Sequence, residues 1–422
     1  MNGRLVGELR KEPSGGIEFH YDRSWLGWEN AISVSSSMPL REERFAGAVP
    51  AAFFENLLPD DRAIRVAVAA RTNAESPDTF DLLAALGRDC IGALQFLPAG
   101  ADPGAVGVVQ GRTVTEAEIA ALLQDLARVP LGAGSDPEFR ISLAGAQEKT
   151  ALLRHQGQWL IPHGTTATTH ILKPAIGPRR DGLDLSRSVE NEWLCLRLVS
   201  AFGLPVAAAE MATFEAQQVL IVERFDRRWM PDGRLLRLPQ EDLCQALGVT
   251  VSKKYEADGG PGILALLAHL RASDDPTGDR RRLLQAQVLF WALGATDGHA
   301  KNFSQFLRPG GRFLLAPLYD IMSAQPNVDA GQIQQNRYKL AMAVGTSRHY
   351  VVGRITRRHF IETMMGAGLS ARDATDLLDD LVVRAPAALD QALGGLPAGF
   401  PQDLADAIAR GVRARFGLRP GH

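Results

Sequence analysis

The sequence predicts an α+β chain of two lobes, the first built on a sheet and the second mostly helical, with a β-rich N-terminal subdomain ahead of them. Three observations predict it. Short stretches of two-residue alternation fill the first fifty residues. Further on, His170-Ile171-Leu172-Lys173-Pro174 and Gln218-Val219-Leu220-Ile221-Val222 read as strands on either side of a helix over Leu185 to Phe202. After Arg227 the apolar residues recur with a largely helical period. These shifts set expected boundaries at 1–100 for the N-terminal subdomain, 101–226 for the sheet lobe and 227–422 for the helical lobe.

Composition narrows the class before any motif is read. The chain has 422 residues, 45% of them apolar, enough for more than one core. A formal net charge of -2 excludes a global nucleic-acid signature, so any DNA contact must be local. Cys90, Cys195 and Cys244 lie far apart without metal-type spacing and read as core fillers in a reducing compartment. No run approaches the roughly 20 apolar residues of a membrane helix, and a soluble cytoplasmic protein is expected.

Taken in order, Leu5-Val6-Gly7-Glu8-Leu9, Ile17-Glu18-Phe19-His20-Tyr21 and Ala31-Ile32-Ser33-Val34 are expected strands, the first two joined by a turn at Pro13-Ser14-Gly15-Gly16. From Ala51 to Leu86 the period becomes helical. A Gly, Ala and Pro-rich linker spans Pro98 to Gly111. Thr115 then caps a helix running to Leu126, with Glu118 completing a capping box. Phe139 to Leu153 reads as two strand halves around the small turn Ala144-Gly145-Ala146, a hairpin able to bring backbone N–H groups to phosphate oxygens. It matches neither of the common Gly-rich phosphate motifs, and an ordinary hairpin remains the alternative. The helix after Lys173 carries Glu190 and Glu192 near its start. Either one pairs with Lys173, or both are acidic charge in a first helical turn.

The most informative stretch is Gly294-Ala295-Thr296-Asp297-Gly298-His299-Ala300-Lys301-Asn302. It follows an apolar run, Leu283 to Leu293, and precedes a strand-like run, Arg312 to Leu318, that leads into Asp320. Protein kinases place an Asp, an Asn five residues on, and a later Asp in this order. The first accepts the proton of the attacking hydroxyl, and the other two hold metal on the phosphates. Lys173, about thirty residues after the small turn, stands where the phosphate lysine is expected. Glu223 and Phe225, at the end of their strand, stand where a hinge faces adenine, or else mark a strand ending at the surface. The pattern departs from ordinary kinases: no His-Arg precedes Asp297, and Ile-Met follows Asp320.

The whole set resembles the HipA family of bacterial serine/threonine kinase toxins. The resemblance rests on Ile141 through Leu152, Val222-Glu223-Arg224-Phe225-Asp226-Arg227-Arg228, Leu238-Pro239-Gln240-Glu241-Asp242, Tyr255-Glu256-Ala257-Asp258-Gly259-Gly260-Pro261-Gly262 and Gly294 through Phe303. All stand in family order, and the likeness covers essentially the whole chain. It implies a two-lobed kinase-like fold using ATP and Mg2+. Asp297 would be the catalytic base, and Asn302 and Asp320 metal ligands. His299 would be a loop-orienting or phosphate-contacting residue, or else a structural histidine. Ala144, Gly145, Ala146, Gln147, Glu148 and Lys149 would form the phosphate loop, Lys173 would bind ATP phosphate, and Glu223 and Phe225 the adenine. Ser142 would be the autophosphorylated residue, its phosphate ejecting the loop and switching the kinase off. The implied substrate is glutamyl-tRNA synthetase or another translation component, whose modification arrests growth in a persistent state. The implied partner is a HipB-like helix-turn-helix antitoxin, through which operator DNA is bound. Arg354, Arg357, Arg358, Arg410, Arg413 and Arg415 are either phosphate contacts there or solvated helix faces. Two other classes remain in view. A kinase-like scaffold would lack a base or metal ligand, and a small-molecule kinase would lack the Ser142 loop.

Overall fold

The computed structural model describes all residues except 14, 127–130, 132–140, 146 and 419–422. The chain packs as two compact units. One comprises Met1–Pro174, Glu210–Val251 and Gln305–Phe313, and the other Ala175–Ala209, Ser252–Ser304 and Leu314–His422. The two-lobed, kinase-like α+β expectation holds.

In the first unit, the strands Gly7–Lys11 and Ile17–Tyr21 form the expected antiparallel hairpin. Of its expected turn, Ser14 lies outside the described residues. No further strand forms among the described residues up to Gly111. Ala31 to Val34 form no strand, because the Val34 N–H donates to the Tyr21 hydroxyl at 2.9 Å, the Ser36 N–H to the Glu241 carboxylate at 2.9 Å and the Ser37 N–H back to Ser35 Oγ at 3.1 Å. Helices Ala48–Glu55, Arg62–Thr72 and Thr79–Leu86 follow. Their Phe53, Phe54, Leu82, Leu83 and Leu86, with Leu57 and Leu58 just past the first helix, enter one core with Phe19, Leu152, Leu172, Val219 and Ile221. The helix Glu116–Asp125 carries the Thr115/Glu118 capping box as expected.

The central sheet has six strands in the order Gly111–Thr113, Gln158–Pro162, Thr150–His155, His170–Pro174, Gln217–Glu223, Ala209–Phe214. His170–Pro174 pairs antiparallel with both Thr150–His155 and Gln217–Glu223. This register sets Lys173 opposite Leu220 and Glu223 opposite His170.

One polar cluster lies within this unit. Asp89, Arg224, Asp226, Arg227 and Arg237 are each at most 9% exposed. Arg227 and Arg237 reach Asp89 Oδ1 at 2.8 and 3.0 Å, and Arg224 reaches Oδ2 at 3.2 Å. Thr168 adds its N–H and hydroxyl to Oδ2, and Arg224 and Arg227 also bind Asp226. Burial alone would raise the Asp89 pKa. The guanidinium groups of Arg227, Arg224 and Arg237 instead hold it well below the usual carboxylate range.

The second unit is mainly helical, with short strands that a purely helical reading of residues past 227 does not anticipate. Lys339–Val344 and His349–Val351 pair there because Leu340 to Val344 are all buried, a packed strand pattern rather than a helical stripe. At its centre Pro276–Leu293 is buried from Leu283 to Leu293 and packs against Ser188–Ala201, Ala371–Leu393 and Gln402–Phe416. Cys90, Cys195 and Cys244 are free and buried, as core fillers should be. No helix of the described residues is long and apolar enough to cross a membrane.

Candidate active site

The central helix of the second unit aims the Asp297 loop. Asp275 caps its start by accepting the Gly278 N–H at 2.9 Å, and Gly294 ends it in the left-handed region at φ 69°. A Cβ on Gly294 would lie 1.6 Å from the Tyr338 hydroxyl oxygen. That hydroxyl is itself bound by Arg415 at 2.9 Å, so it cannot easily yield. Gly294→Ala is therefore expected to destabilise the protein by about 1–3 kcal/mol and to lower activity together with the melting temperature. An unchanged thermal melt would show that the turn does not need glycine.

Beyond Gly294 the loop folds on its own backbone. The Asp297 carbonyl accepts the His299 N–H at 2.9 Å and Asn302 Nδ2 at 2.7 Å, while the His299 carbonyl accepts the Asn302 N–H at 3.0 Å. The five-residue spacing is what lets the amide reach back. With Nδ2 engaged, Asn302 presents Oδ1 on its other side. The Asp297 side chain is 58% exposed and accepts a hydrogen bond from the Tyr255 hydroxyl. His299 is 1% exposed, its Nε2 lies 3.7 Å from Asp297 Oδ1, and burial lowers its pKa against the Asp297 charge. Neither ring nitrogen has a hydrogen-bond partner among the described residues, which is unlike a satisfied structural histidine. Tyr319 ties the last acidic position to this loop, donating to the Lys301 carbonyl at 3.0 Å and meeting Ser304 Oγ at 2.6 Å. Asp320 follows in the left-handed region at φ 59°, which its short polar side chain tolerates.

The remaining expected residues, Glu190 and Glu192 apart, belong to the first unit. Ser142 is fully buried, its hydroxyl donating to the Leu57 carbonyl at 2.7 Å. The expected hairpin around Gly145 does not form, because each arm pairs elsewhere: Ile141 bridges to Asp89, Gly145 to Pro59, and Thr150–His155 joins the central sheet. Phe139, Arg140 and Ala146 lie outside the described residues. Gly145 sits at φ 104°, and a Cβ there would meet Lys149 Nζ at 2.5 Å. The Lys149 ammonium turns back onto the Ala144 carbonyl at 2.6 Å, closing the loop. Gln147 Nε2 donates to the Pro174 carbonyl at 3.2 Å, next to Lys173, and Glu148 is exposed. Lys173 is 6% exposed in the middle of the sheet. Glu223 ends the neighbouring strand on the surface, and Phe225 packs edge-on against Phe306 at 5.7 Å. Of Glu190 and Glu192, the latter is buried at 2% in the second unit, more than first-turn acidic charge requires.

Residues 141–389 match the model of the HipA-like C-terminal domain, and residues 1–97 that of the HipA N-terminal domain. The chain belongs to the HipA family. It is 38% identical over 348 residues to "Putative kinase Y4mE" of Sinorhizobium fredii, covering 82% of this chain and 79% of that protein. It is 30% identical over 356 residues to the serine/threonine-protein kinase toxin HipA of Shewanella oneidensis, covering 81% and 76%. The structure superposes on Shewanella oneidensis HipA, solved with HipB and operator DNA, with a TM-score of 0.81 at 25% identity over 99% of this chain and 97% of that one. As a HipA-family member the chain is a serine/threonine-protein kinase, with ATP-dependent phosphoryl transfer as its chemistry.

Tyr255 and Tyr319 carry no role in the sequence reading. Tyr255 lies in a glycine-rich motif that flagged it without saying what it touches. Tyr319 had no signal beyond its place before Asp320. Among the arginines, Arg357, Arg358 and Arg410 each pair with a carboxylate, and Arg415 is a half-buried brace on the Ala292 carbonyl.

Proposed function

We propose that this protein is a HipA-type toxin, a kinase that uses ATP and Mg2+ to phosphorylate a serine or threonine of a translation component, glutamyl-tRNA synthetase first among the candidates. The braced Asp297–Asn302 loop carries the reading. It sets an exposed carboxylate on a rigid backbone five residues from an amide oxygen, and phosphoryl transfer asks for little more from the protein than such placement. In this scheme Asp297 takes the proton of the attacking hydroxyl, and His299, neutral because it is buried, lines the loop. Asn302 Oδ1 and the Asp320 carboxylate are hard oxygen donors of the kind Mg2+ takes and would hold the metal, which would neutralise phosphate charge. Lys173 and the loop Ala144 to Lys149 bind the phosphates, and Glu223 and Phe225 meet the adenine. The division into 1–100, 101–226 and 227–422 belongs to the same proposal.

Ser142 is the proposed site of self-inactivation. Its bond to Leu57 keeps the hydroxyl out of solvent, so phosphorylation requires the loop to leave its seat, and a phosphate of nearly two negative charges would prevent its return. A HipB-like antitoxin is the proposed partner, with operator DNA bound mainly through it and the cytoplasm as the working compartment. The Shewanella complex supports that pairing.

Mass spectrometry of the purified protein incubated with Mg-ATP tests the proposal. One added phosphate, mapped to Ser142 and absent in Ser142→Ala, is expected. Incubated with the synthetase, the Ser142→Ala form should add phosphate to it and abolish its charging activity. No phosphate on any protein, with ATP still bound, would overturn the kinase reading in favour of a scaffold.

A further inference from the structure

The motif Tyr255-Glu256-Ala257-Asp258-Gly259-Gly260-Pro261-Gly262 has no part in the scheme above, yet each of its glycines is required by one local construction. Glu256–Asp258 form a single turn of tight helix, and Gly259 leaves it in the left-handed region at φ 88°. The Asp258 and Gly260 N–H groups both donate to the Tyr255 carbonyl, at 3.1 and 2.9 Å. A Cβ on Gly260 would lie 2.0 Å from the Lys253 carbonyl oxygen, and one on Gly262 would lie 2.5 Å from the Glu256 carboxyl carbon. Glu256 is anchored in turn, accepting the Ala343 N–H at 2.6 Å and pairing with Arg348 at 3.1 Å. The result is a rigid mount for one side chain. Tyr255 leaves it to meet Asp297, 42 positions away in sequence, with its ring standing edge-on to His299 at 4.8 Å and 80°.

We infer that Tyr255 is a positioning residue for the catalytic base: its hydroxyl holds Asp297 Oδ1 and so turns the other carboxylate oxygen toward the acceptor hydroxyl. This rests on the reading of Asp297 as the base. Three groups converge on that residue. Tyr255 binds Oδ1, His299 Nε2 stands 3.7 Å from the same oxygen, and Asn302 fixes the backbone carbonyl. A carboxylate that is 58% exposed would otherwise rotate about its side-chain torsions, and most of those rotamers aim neither oxygen at a substrate. Holding one oxygen removes that freedom before the acceptor arrives.

Steady-state kinetics of Tyr255→Phe and Tyr255→Leu, with Asp297→Asn beside them, test the inference. Phe keeps the ring on His299 and removes only the hydroxyl. Its kcat is expected to fall about ten- to a hundredfold, with KM for ATP and for the acceptor protein within about twofold of the unmodified enzyme. Nucleotide affinity, read by binding alone, should not change. The Leu variant should lose at least as much kcat. If Phe matches the unmodified enzyme, or if its loss appears in KM for ATP, the inference fails. Phe unaffected while Leu is impaired would leave Tyr255 a packing residue and also overturn it. Full phosphoryl transfer by Asp297→Asn would instead remove the base assignment itself, a different result from either.

Discussion

Replacing Asp297 with Asn is expected to lower phosphoryl transfer by about a thousandfold while leaving Mg-ATP binding in place. The asparagine has the same shape and can still accept the Tyr255 hydroxyl, so the loop keeps its geometry. What it loses is the capacity to take a proton and the charge that orients the acceptor hydroxyl. The brace from Asn302 runs to the backbone carbonyl of Asp297, which the substitution does not touch. A thermal-shift titration with Mg-ATP beside a phosphoryl-transfer assay separates the possibilities. Loss of the ATP-dependent shift would mean that the carboxylate serves the nucleotide. Retained transfer would mean that the base lies elsewhere.

The second large effect is on stability. Asp89→Ala is expected to cost about 3–5 kcal/mol, because it strips the shared counter-charge from three arginines that stay buried. Two of them, Arg224 and Arg227, flank Phe225, so the loss should also loosen the proposed adenine hinge. The pH dependence follows from the depressed pKa of Asp89. A carboxylate whose folded pKa lies below its unfolded value adds stability above about pH 4, and that stability is lost as pH falls through the folded pKa. The difference between the parent protein and Asp89→Ala in denaturant melts should thus be full at pH 7 and shrink below pH 4. Coincident melts at pH 7 would refute the account.

What could be read from the sequence, and what could not, divides along contact distance. The Thr115 capping box and the strands around Lys173 and Val219 are set by neighbours a few residues apart. Each lies in the structure where the pattern put it. Asp297, Asn302 and Asp320 stood out because their spacing is itself the signal; all three lie in one unit, and their joint role is the proposal above. The arms around Gly145 were misread as a hairpin because their true partners, Asp89 and Pro59, lie more than fifty residues upstream. Ala31 to Val34 were misread because a tyrosine hydroxyl takes a backbone donor that alternation would assign to a strand. Asp89 itself gave no hint, since a lone Asp beside a Cys announces nothing until three distant arginines arrive. Tyr255 was visible only as a member of a motif, its purpose hidden by the 42 residues between it and Asp297.

The bond from the Asn302 side chain to the Asp297 carbonyl ties two properties into one residue. On the proposed reading, one end of that amide faces the metal and the other holds the base in register. Exchanging Asn302 for Asp would add charge for the cation, yet it would set a carboxylate oxygen against a carbonyl oxygen and release the loop. Ion affinity and proton acceptance are therefore not separately adjustable at this position. A kinase built this way cannot drift toward tighter metal binding through residue 302 without disarming itself, and the same coupling makes that position a single point at which the kinase can be silenced.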